Sequence, residues 1–212
     1  SIGVAAVVTL TALGDGARYG VKLTYVEEPE PRGTGGALRF ADEQLPGGLG
    51  ERFLMLNGDV LTDLDLRAQI DQHERTGASG TLALVPVEDP TAYGLVRLEA
   101  DRRVQGFLEK PKLEEIDTNL ISAGAYVLER SVLDLIPPGR SVSIEREVWP
   151  ELVGRGLHGF PHEGAYWVDI GTPEQVVTVP QTAVTFSLYG DNVLVVNATK
   201  VTDKDGKEVG TA

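Results

Sequence analysis

Apolar residues along the chain fall in short runs whose spacing switches between a two-residue alternation and a helical period. Residues 4–10 (VAAVVTL) form a short apolar run of mostly β-branched residues, which predicts a buried strand. Residues 21–26 (VKLTYV) alternate and predict a second strand, followed by a Pro- and Gly-rich loop over 27–36. A helix is expected over 37–45, ended by Pro46-Gly47-Gly48. Residues 53–56 (FLML) are wholly apolar, as in strands covered on both faces of a parallel sheet, and lead into Asn57-Gly58-Asp59. Asp63 or Asp65 can cap the next helix, which puts Leu66, Ile70 and His73 on one face and stops at Gly77. Strands are predicted over 81–87, 94–98, 104–108 and 120–128, with a turn at Asp101-Arg102. A short helix over 131–136 ends at Pro137-Pro138, and a helix over 144–153 is capped by Ser143, with Arg146 or Glu147 facing solvent. Strands at 157–160 and 166–170 come next, and Thr172-Pro173-Glu174 opens a further helix.

This alternation predicts an α/β fold, Rossmann-like, with a mixed, mainly parallel sheet and helices on both faces. After Val179-Pro180 the pattern changes to short strands broken by Gly190-Asp191-Asn192 and by 203–206. The expected division is an α/β unit over 1–178 and a β-hairpin-rich tail over 179–212.

Composition narrows the function. The chain has 212 residues and a formal net charge of −13, which repels a phosphate backbone and argues against nucleic-acid binding. No apolar run approaches the roughly 20 residues of a membrane span. Cysteine is absent, so disulfides, thiolate zinc sites and cysteine nucleophiles are excluded, and a reducing cytoplasm is the expected setting. A homo-oligomer is compatible with the sequence.

Three segments carry candidate chemistry at strand ends, where open α/β sheets bind ligands. Gly33-Thr34-Gly35-Gly36 precedes a helix and can either make a tight structural turn or offer free N–H groups to an anion or base edge. Asp59 ends an apolar strand, and Asp169 lies in a second one (YWVDIGTP). Each can be a turn or cap residue; together they can hold one Mg²⁺ and offset the charge of a triphosphate. Glu109 and Lys110 are either a solvated pair before Pro111 or a sugar-hydroxyl acceptor and a phosphate-binding cation. His73, His158 and His162 lack metal-ligand spacing, and residues 145–151 read as a wet helix face.

In order and spacing, YVEEPEPRGTGGAL (25–38), FLMLNGD (53–59), FLEKP (107–111), NLISAGAYVL (119–128), SIEREVWPEL (143–152) and YWVDIGTPE (166–174) resemble the sugar-1-phosphate nucleotidyltransferases. The likeness is nearest to the mannose-1-phosphate guanylyltransferases. It implies a nucleotide-diphospho-sugar transferase fold and transfer of a nucleotidyl group from a nucleoside triphosphate to a sugar 1-phosphate, with Mg²⁺ as cofactor. By resemblance, Asp59, Lys110 and Asp169 are catalytic, with Mg²⁺ on Asp59 and Asp169. Gly33, Thr34 and Gly35 would line the nucleobase site. Glu109, Ser122 and Gly124 would meet the sugar, Ser122 standing where relatives usually carry Asn.

Two departures accompany the resemblance. The family's Gly-x-Gly-Thr-Arg loop, which cradles the triphosphate, has no counterpart, so the chain reads as N-terminally truncated. Residues 179–196 instead resemble the membrane-proximal β segment of periplasmic efflux-pump adaptors, which suggests a chimera. The alternative function is a non-catalytic fragment or regulatory relative that binds sugar phosphate or nucleotide.

Overall fold

The computed structural model describes residues 13–108, 112–170, 193–196, 200–202 and 208–211. The expected strand at 4–10 and the helix opened by Thr172 lie outside them, as do Glu109 and Lys110. The main sheet is built on one long strand, β6 (Leu120–Glu129), whose residues 123–128 are all buried. Along one edge it pairs with β3 (Gly80–Pro86). Its other edge is shared: β1 (Arg52–Asn57) occupies residues 125–129, and β4 (Leu95–Leu98) meets Ile121. Outward from these lie β5 (Val104–Leu108) beside β4, β7 (Leu157–Pro161) beside β3, and β9 (Val193–Val196) beside β1. Two small ladders complete the sheets, β2 (Val60–Thr62) with β8 (Trp167–Asp169), and β10 (Lys200–Thr202) with β11 (Glu208–Thr211).

The expected mixed sheet with helices on both faces is found, but the balance of directions differs. Among the described strands only β3 and β7 pair in parallel. The central strand β6 runs against β1, β3 and β4, and β4 and β5 form a hairpin, so the apolar run at 53–56 reflects one buried face (Phe53, Met55) and one half-buried face (Leu54, Leu56) rather than parallel neighbours.

One face packs against α1 (Gly33–Gln44) and the 142–152 segment. Leu38, Phe53, Met55, Leu82, Leu84, Tyr126, Leu128 and Trp149 form its core. The other face carries Ala83, Val85, Ile121, Ala123 and Ala125. It is covered by α2 (Leu66–Thr76), which Asp65 caps by accepting the Ala68 N–H at 3.0 Å and Gly77 ends in the left-handed conformation. The buried stripe of α2 is Gln69, Gln72 and His73, rather than the expected Leu66, Ile70 and His73. Most of these polar groups are matched: the Gln69 and Gln72 amides donate to the Thr81 and Gly159 carbonyls, and His73 sits between the Thr81 hydroxyl (2.9 Å) and the Glu129 carboxylate (3.0 Å), while the Gln69 Oε1 meets no donor among the described residues. Burial lowers the His73 pKa, partly opposed by the hydrogen bond to Glu129.

Residues 21–26 form no strand: the backbone N–H groups of Val21 and Leu23 donate to the carbonyls of Gly16 and Asp15. Alternation alone does not make a strand without a ladder partner. The first long helix starts four residues earlier than expected, at Gly33 rather than residue 37.

Candidate active site

The site is assembled where the central sheet opens. Across β3, Leu82 faces Tyr126 and Leu84 faces Ser122, so β6 takes four steps where β3 takes two. This is a bulge centred on Gly124, whose φ of +74° suits glycine. On the opposite edge, residues 122–124 fall in the gap between β1 and β4. The Asn57 side chain fills that gap against Gly124: a Cβ there would lie 2.9 Å from the Asn57 Nδ2. The bulge also shortens β6, letting the Ser122 hydroxyl meet the Tyr126 hydroxyl at 3.0 Å. Residues four apart in a regular strand are separated by about 13 Å.

The turn Asn57-Gly58-Asp59 leads from β1 into β2, and β2 pairs with β8 so that Val60 lies opposite Asp169. The Asp59 carbonyl accepts the Ile170 N–H at 2.8 Å. The other end of this ladder is fixed by Asp63, which accepts the Tyr166 N–H at 2.7 Å, and by the Thr62 hydroxyl, which donates to the Tyr166 carbonyl. β8 is tied to the bulge by the Trp167 indole N–H, which donates to the Ala123 carbonyl at 3.0 Å. Asp59, Asp169 and Gly124 are therefore gathered at one corner of the sheet. Among the described residues no three His, Asp or Glu side chains group as metal ligands.

Tyr126 forms a buried floor. Its phenol is pushed well above the ordinary value by burial, then by the Glu145 charge; Asp59 adds a smaller effect. The Glu145 and Asp59 charges thus act on a neutral hydroxyl, held in place by Ser122 and by the Trp149 ring, 5.1 Å away centroid to centroid.

The third wall is the start of α1. The N–H groups of Gly35 and Gly36 both donate to the Val142 carbonyl, at 2.9 and 3.3 Å, and so are not the free donors expected there. The glycines allow this contact: a Cβ on Gly33 would lie 2.7 Å from the Val142 carbonyl oxygen, and one on Gly36 would lie 2.6 Å from that of Arg140. The Thr34 hydroxyl donates to Glu145 at 2.8 Å and accepts the Ile144 N–H at 2.9 Å. Glu145 belongs to a π-helical turn, Ile144–Val148, that runs into α3 (Trp149–Leu152). It is half-buried rather than part of the expected wet face, whereas Arg146 and Glu147 are exposed as anticipated. Reading residues 145–151 as one solvated face missed it; the Ser143-x-Glu145 spacing after a cap was the available signal. Of the residues singled out from the sequence, Gly33, Thr34, Gly35, Asp59, Ser122, Gly124 and Asp169 are described here; Glu109 and Lys110 fall in the gap after β5.

The nucleotidyl transferase family profile matches residues 6–184. This chain belongs to that family. It is 43% identical over 167 residues to the mannose-1-phosphate guanylyltransferase of Mycobacterium tuberculosis, a match covering 77% of this chain and 45% of the relative. The chain thus spans under half the length of the curated relatives it matches. Among solved structures, HddC from Yersinia pseudotuberculosis superposes with a TM-score of 0.65 at 27% identity, covering 79% of this chain and 70% of that one. The same protein complexed with GMP-PN superposes at 0.60 with 28% identity, covering 74% and 64%. These likenesses bear out the nucleotide-diphospho-sugar transferase fold and a transferase ancestry. No helix among the described residues is long and apolar enough to cross a membrane.

Proposed function

We propose that this chain transfers a nucleotidyl group from a nucleoside triphosphate to a sugar 1-phosphate, with formation of a GDP-mannose type product favoured. The observation carrying the reading is the β2–β8 ladder, which joins the Asp59 turn to the strand of Asp169 beside the Gly124 bulge. Guanine is favoured because the curated relatives are guanylyltransferases and because HddC was solved with GMP-PN.

Two hard carboxylate donors suit Mg²⁺, which binds one or two carboxylates and completes its shell with substrate phosphates and water. Asp59 and Asp169 would hold it, and when bound it neutralises phosphate charge. In the proposed reaction an oxygen of the sugar 1-phosphate attacks the α-phosphorus, and the bond to the pyrophosphate oxygen breaks in line. No covalent enzyme intermediate is needed, so alignment and charge carry the rate. Lys110 would bind phosphate and Glu109 the sugar hydroxyls. Ser122 would act from the bulge, its hydroxyl already oriented by Tyr126. Gly33, Thr34 and Gly35 would face the base.

The test is pyrophosphate release by the 212-residue chain with Mg²⁺, each nucleoside triphosphate and a panel of sugar 1-phosphates. GTP with mannose 1-phosphate should give the highest rate, and Asp59→Asn or Asp169→Asn should lower it at least about 100-fold, as loss of one strong electrostatic contact to the transition state does. Wild-type rates in both variants would refute the carboxylate assignment. Nucleotide binding without pyrophosphate release would favour the binding-only alternative.

A further inference from the structure

We propose that Glu145 is a positioning residue for the nucleotide, acting through Thr34 on the turn that starts α1. The proposal rests on the reading above that this turn takes the base.

Glu145 concentrates two hydrogen bonds on one oxygen. Its Oε2 accepts the Thr34 hydroxyl and the Ser143 hydroxyl, each at 2.8 Å. Thr34 in turn accepts the Ile144 N–H. The circuit joins two segments more than a hundred residues apart in sequence and closes directly over the Gly35 and Gly36 bonds to Val142. Those bonds leave the N–H groups of Gly33 and Thr34 as the helix-start donors that meet no acceptor among the described residues. Thr34, which carries one of these N–H groups, is anchored through its hydroxyl to Glu145 and to the Ile144 N–H.

The local winding supports this role. The Trp149 N–H donates to the Ile144 carbonyl, a five-residue spacing that makes the turn wider than an α-helix. Such π turns are uncommon and recur at functional sites. Here the turn brings Glu145 to Thr34 while Arg146 and Glu147 stay in water. Stability alone explains the residue poorly. A half-buried carboxylate that accepts only neutral hydroxyls, with no cation in ion-pair range among the described residues, retains part of its desolvation cost.

The experiment measures binding of Mg–GTP and, separately, of mannose 1-phosphate to the full chain by titration calorimetry. The variants are Glu145→Leu, Glu145→Gln, Thr34→Val and the double variant Thr34→Val/Glu145→Leu. Glu145→Leu and Thr34→Val should each weaken Mg–GTP binding about tenfold, as expected for loss of a hydrogen bond to a charged group. The double variant should be no weaker than the worse single, because both break one circuit. Glu145→Gln keeps an oxygen able to accept both hydroxyls and should stay within about threefold of wild type. Mannose 1-phosphate binding should not change. Without ligand, amide exchange at residues 33–36 should quicken about tenfold in Glu145→Leu, since the anchoring of those N–H groups loosens. Wild-type Mg–GTP binding by Glu145→Leu, or equal losses for GTP and mannose 1-phosphate, would overturn the positioning role alone. Failure of the wild-type chain to bind Mg–GTP would overturn the base-site reading, and this inference with it.

Discussion

Gly124→Ala tests the bulge on which the site is built. The added methyl meets two costs. The backbone at φ +74° is one that alanine adopts only with strain, about 1–2 kcal/mol. The methyl also lands 2.9 Å from Asn57 Nδ2 and 3.0 Å from its Cβ and Cγ, and forcing a methyl into filled space costs about 1–3 kcal/mol. Against these, alanine restricts the unfolded chain and returns about 0.4–1 kcal/mol. The net expectation is destabilisation of about 3 kcal/mol. Urea unfolding followed by tryptophan fluorescence, compared at constant m value, measures it. Gly106→Ala is the control: it lies in β5 with open space around the new methyl, and should fall within about 0.5 kcal/mol of wild type. A Gly124→Ala protein as stable as the control would refute the claim that Asn57 and the positive φ require glycine there.

Asp65→Ala removes the cap of α2 and should cost about 1 kcal/mol in thermal or urea unfolding. Asp42→Ala strips the partner of Arg130 (2.9 Å) and the acceptor of the Leu49 N–H (2.7 Å); with the Arg130 side chain 36% exposed, the loss should be about 2 kcal/mol by the same measurement. His73 is held neutral by burial, its pKa below the usual 6.5, so the unfolded chain takes up its proton first as pH falls. Stability should therefore decline on acidification from about pH 6.5, by at most about 1.4 kcal/mol per pH unit, and His73→Gln should flatten that slope. Below the usual carboxyl range Glu129 adds a loss of the same sign: burial raises its pKa, but the hydrogen bonds from Arg52 and His73 outweigh this and hold it low.

Much of the sheet was legible because its strands are apolar and bounded by Gly, Pro and Asp, as at 53–56 and 120–128. Asp65, Gly77 and Ser143 acted as the helix signals they resembled. The errors share a cause: a decision made by distant partners. Residues 21–26 alternate like a strand but have no ladder. The helix at Gly33 begins early because Val142 and Arg140, more than a hundred positions away, supply the surface its glycines pack against. The buried stripe of α2 is polar because Thr81, Gly159 and Glu129 supply partners for the Gln69 and Gln72 amide N–H groups and the His73 ring. Within the candidate site, Asp59 and Asp169 stood out as carboxylates on apolar strands, and the ladder joins their strands. Glu145 did not: its spacing from Ser143 marks it locally, but its second partner, Thr34, lies more than a hundred residues away.

The β2–β8 ladder also bears on how the molecule is made. It connects residues 60–62 to 167–169, so the intervening chain closes a loop of just over a hundred residues. Loop closure of that length costs about 4 kcal/mol in chain entropy, which a three-residue ladder does not offset on its own. The surrounding sheet must therefore form first. On a ribosome, Asp59 emerges more than a hundred residues before Asp169 and has no such neighbour while β1, β3 and β6 are being laid down. The carboxylate pair is in this sense a late check on completeness: a nascent or clipped chain that stops before β8 can present most of the sheet and still lack the corner where the chemistry would take place.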